Sequence, residues 1–311
     1  MRTVAAVLCL SLVGIPAISM ASFEMALISD STKGVVHRYD LDTGAYLGSF
    51  GNGDLVGTQA ITIDQSRQWA FVGTGTTQGG LAIYNYNTGE FIGSTDLVSG
   101  QAPDLAFSSS HGLLAALSGS IMSRLPNVPS SLGAVNYIGT ATITGVGIDS
   151  SGNVLGYAAS TGQISRWAPG GGSVAGSTTV TGGGSGIAVK GTSLLHITND
   201  LTVRNINTLN FGTATGFTPV TPFTQGIDVE FGHAGTAWAL GISGGTPRLQ
   251  RYRQSSGGTG SFYDAFGLPR SLSQVTTATG LAIVVAPEPL TLASIGIGLG
   301  FLLRRRKASK I

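Results

Sequence analysis

The sequence predicts an all-β fold from its low charge, its many turns and its recurrent apolar runs. Only 10% of the 311 residues are charged, glycine is abundant at 48 residues, and β-branched and aromatic runs recur between the turns. Ordinary soluble domains carry about 25% charged residues. This composition fits either a flexible low-complexity stalk or a fold with many tight turns. A stalk would lack the recurrent apolar runs, so we expect folded β structure.

A repeat becomes visible when the chain is divided at its turns. Residues 39–48 (YDLDTGAYLG) align without gaps with residues 84–93 (YNYNTGEFIG), at an offset of 45. Each segment predicts a strand, a turn that starts with Asp or Asn and contains Gly, and a return strand. Another strand–turn–strand pattern precedes the second segment and recurs along the chain. Its copies start near residues 60, 104, 145, 186, 226 and, less completely, 272.

Each predicted unit therefore contains four short strands, which is the size of a β-propeller blade. One such sheet cannot bury a core alone, whereas sheets packed around an axis bury both faces. The first unit begins at Met25 with its second strand and the last ends near Ala286, so we predict that the C-terminal strand completes the N-terminal sheet. With its YDL-x-TG hairpin, the body resembles bacterial propeller repeat proteins. We predict six blades, or seven if the last unit is more complete than its sequence indicates, with a β-sandwich or jelly roll as the alternative fold.

The last 25 residues have a different character. They contain Pro287-Glu288-Pro289, the apolar run Leu290 to Leu303 and the cations Arg304-Arg305-Arg306-Lys307. Fourteen apolar residues form a helix of about 21 Å, shorter than a bilayer core of about 30 Å, but the terminal cations can snorkel and lengthen the span. We therefore predict a transmembrane helix at about 290–303 with its basic end at 304–307.

This tail resembles a PEP-CTERM sorting signal, which occurs in exported proteins of Gram-negative bacteria. The resemblance implies that an exosortase-type membrane enzyme recognises Pro287, Glu288 and Pro289. It also implies that the chain is processed near this motif after the tail has entered the membrane. The resemblance covers residues 287–311 only, and it concerns the destination of the protein, not the activity of its body.

The N-terminus predicts a cleaved signal peptide over residues 1–21. Arg2 is followed by the apolar core Val4 to Val13 and the small-x-small site Ser19-Met20-Ala21, so cleavage is expected between Ala21 and Ser22. The single cysteine, Cys9, lies in this segment, so the mature chain would contain no thiol for a disulfide, a metal or nucleophilic catalysis. The body at 22–286 would then lie outside the cytoplasm, held at the envelope membrane or released after processing.

The charge balance of the body limits its partners. Residues 22–286 contain eleven Lys or Arg and fourteen Asp or Glu, so no basic surface remains and nucleic acid is not an expected partner. No cofactor is expected. The expected partners are the exosortase-type enzyme, the membrane, and an exopolysaccharide or a surface protein.

Candidate site residues are few. Asp104 and Asp228 lie at or within the first strand of their units, where a propeller lines its channel, and Glu230 shares a strand face with Asp228. The pair Asp228 and Glu230 could hold Ca²⁺ or act as acid and base, although an exposed strand face is the simpler interpretation. Arg248, Arg251 and Arg253 form a small cationic patch that could bind an anionic polysaccharide or be a solvated outer strand.

Other polar and aromatic residues have structural interpretations. Asp64 and Asp149 follow first strands, where an Asp side chain caps a turn. Trp69, Trp167 and Trp238 are expected in the core between blades rather than as sugar platforms.

Two kinds of function remain open besides a purely structural spacer. A non-catalytic, displayed propeller would bind glycans or proteins through its loops. A propeller hydrolase of the lactonase-like kind would need inward carboxylates or histidines from several blades. In the other units, the positions that we take as equivalent to the carboxylates of the Asp228 unit are apolar, namely Ile63, Phe107, Ile148 and Val189. The sequence therefore favours the non-enzymatic interpretation.

Overall fold

The computed structural model describes the chain between residues 23 and 286 with gaps. The described ranges are 23–74, 80–96, 102–109, 112–116, 121–125, 135–138, 142–169, 172–180, 186–198, 203–211, 224–233, 236–254, 263–265 and 269–286. All regular elements in these ranges are strands, and Glu24–Val285 forms one compact unit. The described part contains no helix of the length and hydropathy needed to cross a membrane. The predicted signal peptide and sorting tail lie outside these ranges.

The first sheet takes strands from both ends of the chain. Its order is β24-β1-β2-β3, where the strands are β1 (Phe23–Asp30), β2 (Val35–Asp40), β3 (Tyr46–Phe50) and β24 (Ala278–Ala286). The prediction that the C-terminal strand completes the N-terminal sheet is therefore confirmed.

The next three sheets each contain four consecutive antiparallel strands. Sheet 2 consists of β4 (Ala60–Asp64), β5 (Trp69–Thr74), β6 (Gly80–Asn85) and β7 (Phe91–Asp96). Sheet 3 consists of β8 (Asp104–Ser108), β9 (Gly112–Ala116), β10 (Ile121–Leu125) and β11 (Val135–Ile138). Sheet 4 consists of β12 (Gly145–Ile148), β13 (Val154–Ala158), β14 (Gln163–Trp167) and β15 (Val174–Thr179).

The last two sheets depart from the four-strand unit. Sheet 5 has three strands, β16 (Ile187–Lys190), β17 (Ser193–Ile197) and β18 (Val203–Asn207). Sheet 6 has the order β19 (Gln225–Phe231), β20 (Thr236–Ser243), β21 (Thr246–Gln254) and β22 (Tyr263–Ala265), and β23 (Arg270–Ser271) also pairs with β21. Five sheets therefore have the four or more strands of a complete blade within the described residues, fewer than the six or seven predicted.

The first strands of the sheets form a closed ring, which makes the fold a β-propeller. β4, β8, β12, β16 and β19 are neighbours in this order. β24 closes the ring: the N–H of Leu281 donates to Asp228 on β19 at 2.8 Å. On its other side β24 lies against β4, where a Cβ on Gly280 would be 3.2 Å from the Ala60 Cα. The all-β propeller prediction is confirmed.

The core is divided into apolar clusters between successive sheets. Trp238 of sheet 6 packs with Ile28 and Leu281 of sheet 1, and Trp167 of sheet 4 packs with Leu114 of sheet 3. Trp167 and Trp238 are buried as predicted, whereas Trp69 is only partly buried. Every sheet thus stabilises both of its neighbours, which is why the ring must close.

The hairpin turns confirm the sequence repeat. The Asp40 carboxylate accepts hydrogen bonds from the N–H groups of Asp42 and Thr43, and Asn85 repeats this with Asn87 and Thr88. The predicted glycines, Gly44 and Gly89, follow at φ 77° and 79°. Asp64 and Asp149 also cap turns, as predicted.

A third copy of this turn escaped the sequence comparison. Asn207 accepts a hydrogen bond from the Leu209 N–H at 2.8 Å, and Phe211 takes the left-handed position at φ 54°. A phenylalanine is unexpected there because left-handed backbone costs about 1–2 kcal/mol for a residue with a Cβ. The Phe211 ring lies 5.2 Å from the Arg166 guanidinium, a contact that offsets part of this cost.

Asp30, at the end of β1, connects both ends of the chain. Its carboxylate is fully buried. Burial alone would raise its pKa, but the hydrogen bonds outweigh burial and hold the pKa below its ordinary value. The bonds come from the backbone N–H groups of Thr32, Lys33, Thr276 and Thr277 and from Nε2 of His37. Asp30 thereby fixes the segment that leads into the closing strand β24.

We expect Asp30→Ala to lower the free energy of unfolding by about 3 kcal/mol, because it leaves several buried donors without an acceptor. Urea unfolding followed by circular dichroism measures this change. Asp42→Ala, at an exposed turn position, is the matched control and should change stability by less than about 0.5 kcal/mol. Equal losses in the two variants would contradict the closing role of Asp30.

Candidate functional site

The central channel is the first candidate site. It contains a cavity of about 170 Å³ to which all six inner strands contribute. The lining is Thr62, Ile63, 105–107, 146–148, 187–189, Glu230, Ala282 and Ile283. Glu230 is the acidic residue in this lining, whose other side chains are apolar apart from Thr62.

Asp104 and Asp228 connect neighbouring inner strands around this channel. One oxygen of Asp104 accepts the N–H of Leu105 and the other accepts the N–H of Val146, both at 2.8 Å. Asp228 repeats the arrangement with Val229 and Leu281, also at 2.8 Å. β8 and β19 are three strands apart in either direction around the ring, so the two carboxylates stabilise opposite sides of the channel.

The strand registers correct the equivalence that the sequence indicated for Glu230. Asp228 lies beside Gly186, and Glu230 and Ala188 each follow two residues later, paired with Trp238 and Leu195 respectively. The equivalents of Glu230 are therefore small residues such as Ala188, and not Val189, Ile63, Phe107 or Ile148. The sequence comparison aligned residues 226–229 with 186–189, but β19 has an irregularity between Gly226 and Asp228. This places Asp228, not Gly226, beside Gly186.

The channel carboxyls have raised pKa values. Burial raises the pKa of Asp228 to about 7. Burial and then the charges of Asp228 and Glu230 raise the pKa of Asp104. Burial, followed by the charge of Asp228, also raises the pKa of Glu230. These groups therefore lose their protons less readily in the folded chain than in the unfolded chain.

The geometry of Asp104 and Asp228 indicates a structural role rather than a catalytic or metal-binding one. All four oxygens of Asp104 and Asp228 accept backbone hydrogen bonds, so neither side chain has an uncommitted oxygen pair for Ca²⁺. Within the described ranges, no three His, Cys, Asp or Glu residues come together as a metal site would require. The geometry thus does not support the calcium site considered for Asp228 and Glu230.

The raised pKa of Asp228 makes stability depend on pH. Its contribution is complete below the ordinary pKa of 3.8 and is lost as the pH rises towards about 7, where the folded carboxyl ionises. We expect the stability of the wild type, measured relative to Asp228→Asn, to fall between about pH 4 and about pH 7. Urea unfolding over this range measures the difference. A difference that stays flat over this pH range would contradict the assignment.

Close packing of the inner strands gives a second expectation. A Cβ added at Gly186 would lie 2.6 Å from the Asp228 Cα, whereas one at Gly93 on β7 meets nothing within 4 Å. We expect Gly186→Ala to destabilise the protein by about 1–3 kcal/mol, because the strands must move apart. Gly93→Ala is the control, and thermal unfolding of both variants provides the comparison. Equal stability of the two would show that the inner ring is not tightly packed.

The arginine patch lies on β21 of sheet 6. Arg248 is partly buried and Arg253 is exposed. The Arg251 guanidinium lies 5.6 Å from the centre of the Trp238 ring, a cation–π contact that ties it to the core. An anionic polysaccharide site at these three arginines stays a prediction.

A groove between sheets 1 and 2 is the second candidate site, and no sequence pattern had indicated it. We call it the Phe91 groove. It has a volume of about 420 Å³. Its described lining is Gly51, Asn52, Asp54, Leu55, Thr74, Ala82, Tyr84, Gly89, Phe91 and Ser94. Phe91 is 55% exposed, an unusual state for a large aromatic side chain.

An aromatic stack fixes the Phe91 ring. Tyr84 lies 5.4 Å from Phe91 in an edge-to-face arrangement and 5.2 Å from Phe50, measured between ring centres. Phe50 and Tyr84 are buried, and the Arg38 guanidinium lies 6.0 Å from the Phe50 ring. Phe91 is therefore held at its side by a buried aromatic cluster, while more than half of its surface stays exposed.

The opposite wall is a tightly held loop. Gly51, Asn52 and Gly53 all have left-handed backbone, at φ 104°, 46° and 85°. The Asp54 N–H donates to the Gly51 carbonyl at 2.8 Å, and the Leu55 N–H donates to the Gly34 carbonyl of the β1–β2 turn at 3.1 Å. This loop presents the exposed side chains of Asn52 and Asp54 at fixed positions.

Comparisons with known proteins give structural likeness only. No family model matches the sequence, and no curated protein matches it. A protein of unknown function from Bacteroides caccae superposes with a TM-score of 0.62 at 10% identity, covering 85% of this chain and all of the other. A chain of a nidogen/laminin complex gives 0.61 at 11% identity, covering 84% and 98%. A chain of the mitotic checkpoint complex gives 0.59 at 11% identity, covering 83% and 77%. At these identities the likeness shows the fold alone.

Proposed function

We propose that the protein is an exported, non-catalytic β-propeller that displays a binding surface outside the cytoplasm. The Phe91 groove is the observation that carries this proposal. It combines a supported aromatic face with polar side chains on a rigid loop, as binding sites do. The channel carboxylates, in contrast, are engaged by the backbone. The expected partner is an exopolysaccharide or a surface protein, and two of the similar structures are chains of protein complexes.

Sorting through the PEP-CTERM-like tail is part of this proposal. β24 ends at Ala286, and the motif Pro287-Glu288-Pro289 follows directly. Cleavage at or after the motif by an exosortase-type enzyme would therefore leave the closing strand intact. The body would keep its fold whether the tail remained as a membrane anchor or was removed.

We also infer that the ring has six blades, with sheet 5 as the fifth. Its first strand β16 lies between β12 and β19, as an inner strand of a blade would. Its turn at Asn207 repeats the turn of sheets 1 and 2.

Mass spectrometry of the protein from its native cells, fractionated into membrane and medium, tests the sorting step. We expect a chain that starts at Ser22 and ends near Pro289. Glu288→Ala should accumulate with its C-terminus intact because the motif is altered, while Glu90→Ala in a surface turn should be processed like the wild type. An intact wild-type chain through Ile311 in the membrane fraction would make the tail a lasting anchor and overturn the sorting proposal.

A further inference from the structure

We propose that the Phe91 groove binds neutral sugar units of a polysaccharide. This inference rests on the proposed function as a binding propeller and names the ligand class of its groove. Three properties of the groove lead to it: an aromatic platform, a set of hydrogen-bonding side chains around this platform, and a single negative charge.

The platform suits the apolar face of a sugar ring. Phe91 is 55% exposed, and Tyr84 holds it from the side at 5.4 Å in an edge-to-face contact. The π-face of an aromatic ring carries negative partial charge, so it attracts the weakly positive C–H groups of a pyranose. Because the ring is already fixed by Tyr84 and Phe50, binding loses little side-chain entropy.

The remaining lining supplies partners for hydroxyl groups. Asn52, Asp54, Thr74 and Ser94 contribute an amide, a carboxylate and two hydroxyls to the groove. A carboxylate oxygen accepts hydrogen bonds from sugar hydroxyls, and these charge-assisted bonds are stronger than neutral ones. No hydrogen bond or ion pair with the rest of the described chain engages the Asp54 side chain. A polyhydroxylated ligand would use all four groups, whereas a cationic or apolar ligand would use only one or two.

The charge of the groove selects among sugars. Asp54 is the charged residue among the described residues that line it. A uronate or a sulfated sugar would place a second negative charge near this carboxylate, which is unfavourable. The groove therefore favours neutral hexoses or N-acetylated sugars, in contrast to the arginine patch on β21. Its volume of about 420 Å³ lies in the range of ligand sites for small molecules, which accommodates one to two sugar units.

Isothermal titration calorimetry and saturation-transfer NMR on the purified full chain test this inference. The probes are cellotetraose, maltotetraose, laminaritetraose and tetra-N-acetylchitotetraose, with tetragalacturonate as the acidic member. We expect at least one neutral probe to bind and tetragalacturonate to bind at least about tenfold more weakly than that probe. Phe91→Ala should weaken binding of the neutral probe at least about tenfold, because the platform is lost.

Ile92→Ala is the matched control, because Ile92 is 40% exposed on the same strand but does not line the groove. It should leave binding unchanged, and both variants should unfold at the wild-type temperature. Asp54→Asn should weaken binding of the neutral probe and reduce the discrimination against tetragalacturonate. Failure of all neutral probes to bind, preference for tetragalacturonate, or equal binding by wild type and Phe91→Ala would each overturn the inference.

The failure of this inference can be told apart from failure of the proposed function. If the groove instead serves a protein partner, wild type and Ile92→Ala would retain a surface protein from the native envelope while Phe91→Ala would not, and no sugar probe would bind. That outcome would overturn the sugar inference but keep the binding function. If the wild type bound neither a sugar probe nor a surface protein, that result would overturn the proposed function itself.

Discussion

Closure of the ring by β24 is the constraint on which the rest of the structure depends. Each sheet buries its two faces only against its neighbours, so an open ring would expose two apolar faces. The closing strand is secured in two ways. Its apolar residues, such as Leu281, are buried between sheets 1 and 6, and its backbone donates to Asp228. Asp30 fixes the segment before it. Buried carboxylates thus hold the two ends of the propeller body together, and residues 22–286 contain no cysteine that could do so through a disulfide.

The same carboxylates explain why the channel is not the best candidate for a ligand site. In many pockets a buried acidic group with a raised pKa suggests catalysis. Here the oxygens of Asp104 and Asp228 are occupied by backbone donors of the adjacent strands, so the raised pKa values reflect buried structural groups. Glu230 also lines the channel, but it accepts a backbone hydrogen bond from Phe231. At the periphery, by contrast, the exposed side chains of Phe91 and Asp54 face a groove between two sheets.

The sequence predicted the repeat and the turns well, because both depend on local patterns. It also predicted that the last strand pairs with the first sheet, because the first and last units are incomplete. Asp40 and Asn85 cap equivalent turns as their spacing of 45 residues indicated. The sequence did not predict the register of β19, because the irregularity after Gly226 does not change the pattern of apolar residues. It also missed the Asn207 turn, because Phe211 replaces the glycine that marks the other two copies. The sequence did not predict the Phe91 groove either, because the groove forms between residues of two sheets and no local pattern in either sheet indicates it.

The equivalence of sheets 1 and 2 shows which contacts of the repeated hairpin recur and which differ. Tyr46 and Phe91 occupy matching positions, each opposite a tyrosine of the preceding strand. An arginine of the preceding sheet reaches both turns: Arg270 of sheet 6 donates to the Asp42 carbonyl, and Arg38 of sheet 1 donates to the Asn87 carbonyl. The neighbour of the turn glycine differs, because a Cβ on Gly44 would meet the Arg270 guanidinium at 3.0 Å, whereas one on Gly89 would meet the Phe50 Cβ at 3.0 Å. The Phe91 groove therefore differs from its counterpart through Phe50, which contacts Tyr84 beside Phe91, and not through the absence of a cationic side chain.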